Sequence, residues 1–176
     1  MEFKTYNKVT PKIVSELINL DADNFLGNDV GNFDTCINWL KVCPEMYTII
    51  KHEKKTIGYI NFLPITKQCF EQVKLGRKKD YEILPADILN FKVGDNYCLF
   101  MSLVIDKKYR FSKVLIYLFK TFKKKINNLN KKGIIIKSVV ADCVTPEGEK
   151  LAYHFNGKYV GKTLSNSKIF EFKFNL

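Results

Sequence analysis

The run Leu99–Leu118 (LFMSLVIDKKYRFSKVLIYL) constrains this chain more than any other. Tyr97–Ile105 is apolar on both faces apart from Ser102, the pattern of a central strand. A short polar turn carrying Arg110 follows, and from about Ser112 an amphipathic helix sets in. Val114, Leu115, Leu118, Phe119, Phe122, Ile126 and Leu129 share its apolar stripe, with Lys120, Lys123, Lys124 and Lys125 largely off it. Gly133 ends the helix, and Ile134–Ala141 reads as a second buried strand. Strand, helix, strand in this order is a parallel, right-handed crossover. A buried strand feeding a helix start also gathers free backbone N–H groups and the positive end of the helix dipole at one spot, which suits a phosphate.

The rest of the chain wraps around that unit. Phe3–Lys8 alternates as a strand. Thr10 and Pro11 then supply an N-cap and a first-turn proline for a helix to about Asp23, with Ile13, Val14, Leu17, Ile18 and Leu20 at helical spacing. Asp21–Gly31 is polar and reads as a loop, and Phe33–Val42 as a short helix. Met46–Lys51 and Thr56–Leu63 form a hairpin by spacing. Ile65–Asp95 is a polar stretch of mixed charge, read as an insertion or lid that contains one short helix near Gln68–Leu75. Thr145 and Pro146 open a last helix, and Tyr159–Leu164 with Lys168–Phe174 close the chain as an antiparallel pair. The order describes an α/β (α+β) fold over 1–176: a single domain of three layers, with a mixed central sheet flanked by helices and 65–95 inserted between two strands.

Composition narrows the chemistry. No apolar run reaches the roughly 20 residues of a membrane-spanning helix, and the N-terminus lacks a signal-peptide layout, so a cytoplasmic protein with no membrane partner is expected. Cys36, Cys43, Cys69, Cys98 and Cys143 are scattered and read as reduced, mostly buried thiols. His52 and His154 are the only histidines, which leaves metal chemistry little to stand on. The net charge of +11 is nearly all lysine, since Arg77 and Arg110 are the only arginines. Lysine enriched along with Asn, Ile, Phe and Tyr reads as a compositional bias, and nucleic-acid readers lean on arginine. Nucleic acid is therefore not the expected partner.

The element order resembles the GNAT (Gcn5-related) N-acetyltransferase superfamily over essentially the whole chain. In that family a strand ends in a motif of the form V-x-P-x-Y-R-G-x-G-x-G/A, whose turn and helix start bind the pyrophosphate of acetyl-CoA. Ile105–Leu115 is the matching run, with Tyr109 and Arg110 on the aromatic and basic positions. Lys113 and Leu115 stand where Gly and Gly/Ala are usual, positions at which small residues admit the pyrophosphate. The resemblance implies a donor site of Leu103, Val104 and Ile105 for the pantetheine and thioester, and Arg110, Phe111, Ser112, Lys113, Val114 and Leu115 for the pyrophosphate. Taken without it, Arg110 could be a solvated charge paired with Asp106, and Ser112 an ordinary N-cap.

The family's second signature is a tyrosine in the last helix, acting as general acid toward the departing thiolate. Tyr153, four residues before Gly157, holds that position, with Tyr159 as the fallback. On a helical wheel Leu151 and Phe155 share a face and Tyr153 points away from it. The central strand offers only Ser102 and Cys98, so no general base can be named. The resemblance thus implies an N-acetyltransferase that uses acetyl-CoA as acyl donor and an unidentified primary amine as acceptor by direct attack, and it allows a homodimer. The alternative, given the absent glycines, is a non-catalytic acyl-CoA-binding or protein-interaction module on the same fold.

Overall fold

The structure is a computed structural model and describes residues 3–6, 9–110 and 112–173. In chain order its elements are β1 (Phe3–Tyr6), α1 (Pro11–Ala22), α2 (Phe33–Val42), β2 (Tyr47–His52), β3 (Lys55–Ile65), α3 (Lys67–Lys74), β4 (Gly94–Ile105), α4 (Val114–Lys131), β5 (Ile134–Cys143), α5 (Pro146–His154), β6 (Lys158–Lys162) and β7 (Lys168–Phe172). Capping fixes where several helices begin. Thr10, Asn32, Thr66 and Thr145 each accept an N–H from the first turn through the side chain. Proline follows two of these caps, at Pro11 and Pro146, where its missing N–H costs nothing.

The strands form one sheet in the order β1-β2-β3-β4-β5-β7-β6. Neighbours are antiparallel except β4 and β5, which the α4 crossover makes parallel. The α/β assignment and the mixed sheet are as expected. One face is covered by α4: Val114, Leu118, Phe122, Ile126 and Leu129 are buried against Ile50, Ile57, Ile60, Phe62, Cys98 and Val139. Leu115 and Phe119, expected on the same stripe, are half-buried at its margin. The other face takes α1, α2 and α3 through Leu17, Trp39, Phe70 and Val73 on Ile49, Tyr59 and Leu63.

Three expectations change. Asp21, expected at the start of a polar loop, is buried at the end of α1 with its carboxylate on the Tyr59 hydroxyl. Burial raises that carboxyl to about 6, although the Tyr59 and Gly31 hydrogen bonds pull the other way. The 65–95 segment is not wholly polar surface, because α3 seats Cys69, Phe70 and Val73 in the core. On α5 the inward residue is Ala152, whereas Phe155 is 46% exposed. There Asn156, at φ 57°, ends the helix. A Cβ on Gly157 would lie 2.7 Å from the Phe172 ring, so the turn runs too close to β7 for a side chain.

Candidate functional site

The sheet opens where β4 and β5 part. They pair from Gly94/Ile134 to Leu99/Val140 and no further, although β4 continues to Ile105 against β3 and β5 to Cys143 against β7. A bulge helps to turn β4 away: Ser102 faces Asn61 and Phe100 faces Phe62, which leaves Met101 as the extra residue. Beyond it the Asp106 N–H bonds the Ile57 carbonyl of β3 at 2.9 Å. Strand alternation then turns the N–H groups of Ile105 and Leu103 toward the missing β5 side. Among the described residues they have no acceptor there. Leu103 is half-buried, while Val104 and Ile105 are buried.

The turn after β4 brings the helix start to the same place. Asp106 caps a 3-10 turn over Lys107–Tyr109 by accepting the Lys108 N–H at 3.0 Å. Ser112 donates its hydroxyl to the Tyr109 carbonyl at 2.7 Å and accepts the Val114 N–H at 3.3 Å. Ser112 therefore holds the turn, and α4 begins at Val114, with Lys113 in the cap position and no side-chain cap bond. The N–H groups of Leu115 and Ile116 take no acceptor among the described residues. On β3, a Cβ on Gly58 would meet the Val104 carbonyl at 3.1 Å, with Ile105 and Val114 at ordinary contact distance. The Leu115 side chain leans into the core of that face. Phe111 lies outside the described residues.

The charge of this turn is positive. Lys107, Lys108, Arg110 and Lys113 are all exposed. Asp106 does not pair with Arg110; it holds Lys55 at 2.7 Å. Burial pushes its carboxyl up, but the bonds from Lys55 and the Lys108 amide bring it below the ordinary range. The Arg110 guanidinium donates instead to the Asn24 side-chain carbonyl, in the connection after α1. Around this helix start, exposed cations meet N–H groups that take no acceptor among the described residues, an arrangement whose field favours an anion.

Tyr153 packs beside the part of β5 that runs past its ladder with β4. Ala141, the first β5 residue past the ladder with β4, faces Phe170 of β7. The Tyr153 ring stands edge-on to Phe170 at 4.9 Å, is 54% exposed, and its hydroxyl has no partner among the described residues. Phe155 meets Phe119 of α4 at 4.6 Å, so α4 and α5 flank the opening together. Tyr159, 43% exposed, packs on the same Phe170 at 6.1 Å. Ser102 is half-buried at the bulge, and Cys98 is fully buried, its thiol pushed well up by burial.

A cleft of about 490 Å³ lies past the C-terminal end of β5. Asp29, Lys79, Tyr81, Cys143, Glu149 and Ser167 are among the residues that line it. Lys79 bridges Asp142 at 2.9 Å and the Ser167 hydroxyl at 2.8 Å, and Glu149 pairs with Lys168. Beside them Asp80 is raised to about 6, chiefly by burial and further by the Asp29 and Asp142 charges. None of these lining residues follows from the sequence, because they come from segments with no shared spacing. Asn61 has no sequence signal either: it is 3% exposed beneath the bulge, its Oδ1 unpartnered and its Nδ2 3.2 Å from the Met101 sulfur. Among the described residues no acidic, cysteine and histidine cluster could hold a metal ion, and no helix is long and apolar enough to cross a membrane.

No protein-family profile matches the chain, and no curated protein matches it in sequence. In three dimensions the likeness is extensive. The loading GNATL domain of CurA from Lyngbya majuscula superposes with a TM-score of 0.71 over 98% of each chain at 14% identity. The GphF GNAT-like decarboxylase, solved with isobutyryl-CoA, gives 0.64 over 98% of this chain and 99% of that one at 12% identity. The PaiA N-acetyltransferase from Thermoplasma acidophilum, solved with coenzyme A, gives 0.59 over 99% and 100% at 14% identity. The chain has the GNAT fold.

Proposed function

We propose that this GNAT-fold chain is an acetyl-CoA-dependent N-acetyltransferase that acts on a primary amine. The observation that carries the reading is the juxtaposition at the β4–β5 opening. Among the described residues the N–H groups of Leu103 and Ile105 take no acceptor, and they stand next to a helix start where those of Leu115 and Ile116 take none either and whose turn is cationic. A pantetheine arm is an extended chain with amides, so it can take the place of the missing β5 partner along β4. Arg110, Lys113 and the amides of Leu115 and Ile116 suit the pyrophosphate, with Ser112 and Val114 shaping the turn around it. Phe111 belongs to the same loop by sequence. Lys113 stands where the family has a glycine, and its exposed ammonium adds charge to the site. That two GNAT-fold neighbours were solved with CoA compounds supports the same ligand class.

The chemistry assigned to the chain's own groups is modest. As the amine attacks the thioester carbonyl, a β4 N–H donates to the developing oxyanion. The Tyr153 hydroxyl, which has no partner among the described residues, gives its proton to the departing thiolate and regains one from solvent. The C–S bond breaks as the amide C–N bond forms, so no covalent enzyme intermediate is needed. The amine's own proton leaves through solvent, since no side chain here is assigned as base. Orientation carries much of the rate. The cleft beyond β5 gives the acceptor its approach.

Calorimetric titration with acetyl-CoA, repeated on Arg110→Ala, tests the donor site. Binding in the micromolar range that weakens about tenfold in the variant is expected, the loss of roughly one charge-assisted contact. Absence of binding below millimolar would end the enzyme reading. Thiol release with an amine panel, run with acetyl-CoA and isobutyryl-CoA, then separates a transferase from an acyl-CoA-binding module.

A further inference from the structure

We propose that Asn24 is a positioning residue for the acyl donor: it holds the Arg110 guanidinium in the orientation that receives the pyrophosphate. The inference rests on the donor site proposed for the β4–β5 opening. Arg110 and Asn24 are 86 positions apart and no motif links them. In the fold, the Arg110 Nη2 donates to the Asn24 Oδ1. The other end of that amide is fixed, because its Nδ2 donates to the Leu20 carbonyl at 2.6 Å, at the end of α1. A side-chain amide anchored through its nitrogen has its oxygen aimed in one direction. That direction is Arg110.

The anchor itself is rigid. The Asn24 and Phe25 N–H groups bond the Asp21 carbonyl at 2.8 and 2.7 Å. The Asp21 carboxylate in turn accepts the Tyr59 hydroxyl in the core and the Gly31 N–H at 3.3 Å. Gly31 packs against that carboxylate so closely that a Cβ would lie 3.0 Å from its Oδ2. The partner chosen for Arg110 also matters chemically. The nearest acid in sequence, Asp106, is held by Lys55, so Arg110 meets a neutral oxygen. A neutral acceptor orients the guanidinium with one of its five N–H donors and leaves its full charge for a phosphate. Without that restraint an exposed arginine would have to give up its rotamer freedom when the ligand arrives.

The test compares CoA with pantetheine, which lacks the pyrophosphate, by calorimetry on the folded chain. Wild type is expected to bind CoA far more tightly. Asn24→Ala should weaken CoA by about three- to tenfold, the range expected for one side chain that must be ordered on binding, and leave pantetheine unchanged. Asn24→Asp keeps the size, loses the Nδ2 bond to the Leu20 carbonyl, and puts a carboxylate beside Arg110. It should weaken CoA further, more so at low salt, with pantetheine again unchanged. The Asn24→Ala/Arg110→Ala pair should bind CoA no more weakly than Arg110→Ala alone. Equal losses for CoA and pantetheine, or strictly additive losses in the double variant, would overturn the proposal by reducing Asn24 to a helix-end cap. Should Asn24→Ala not fold, Asn24→Asp distinguishes the same two outcomes. A wild-type chain that binds CoA no better than pantetheine removes the donor site itself.

Discussion

On the side of the opening proposed for the acyl donor, the β4 backbone, the cationic turn and the first turn of α4 come from one run of chain, Leu99–Leu118. The cleft past β5 is walled instead by Asp29, Lys79, Tyr81, Glu149 and Ser167, which meet only in the fold. The donor segment is also part of the core, since Val104, Ile105, Val114 and Leu118 are buried between its exposed polar residues. The cleft residues are half-buried or exposed. A site made from a core segment has its geometry set by packing, so function and stability are coupled there. A site made from loop edges is free to change with its ligand.

The coupling is strongest at Leu118, fully buried one turn into α4. Leu118→Ala should lower the unfolding free energy by about 2–5 kcal/mol, the cost of lost burial plus a cavity that the sheet cannot close. Urea melts read the stability, and acetyl-CoA titration of the folded fraction reads the helix start. A loss under about 1 kcal/mol would break the comparison, because packing would then not be what fixes the donor turn.

Asp21 sharpens the contrast from a third place. The α4 face buries apolar side chains such as Leu118, Phe122 and Ile126, whereas the α1 face buries a carboxyl raised from 3.8 to about 6 by its burial. The folded chain then holds that proton more tightly than the unfolded one between pH 4 and 6. Stability from this group is present at low pH and is lost as pH rises through about 6. Asp21→Asn does not titrate, so its stability relative to wild type should rise over that window. The rise is on the order of 3 kcal/mol for a shift of about two pH units, and the difference should be flat above pH 7. Paired denaturation curves at pH 4, 5, 6 and 7 check it. A pH-independent difference would mean that the Asp21 carboxyl titrates alike in the folded and unfolded chain.

What can be read from the sequence follows the same division. The β4–α4–β5 unit is legible because buried strands and amphipathic helices impose a period on neighbouring residues, and Thr10–Pro11 and Thr145–Pro146 mark two helix starts. Arg110 is legible as an anomaly in a lysine-rich chain. Its partner is not: Asp106, close in sequence, is taken up by Lys55, and Asn24 arrives from 86 residues away. Asp21 escapes sequence reasoning for a related cause. A polar residue at the end of a helix reads as surface unless one knows that the Tyr59 hydroxyl waits beneath it. The residues of the cleft have no signal in one sequence, because nothing periodic joins four loops.

The smallest expected effect concerns the cleft. Tyr81 lines it, is 48% exposed, and stands next to Asp80 on a short 3-10 turn. Removing its ring takes away little buried surface, so Tyr81→Ala should change stability by no more than about 0.5 kcal/mol. If the acceptor approaches along this cleft, the same change should raise the acceptor KM by about threefold, the loss of one partly exposed aromatic contact, with the acetyl-CoA KM unaltered. Arg110→Ala should do the reverse, with the donor KM raised and the acceptor KM unaltered. That crossed pattern is what two separately built sites would give. Were Tyr81→Ala to move both constants together, the 80–82 turn would be coupled to the β4–β5 opening, and the division between a packed donor site and a loop-built acceptor site would have to be given up.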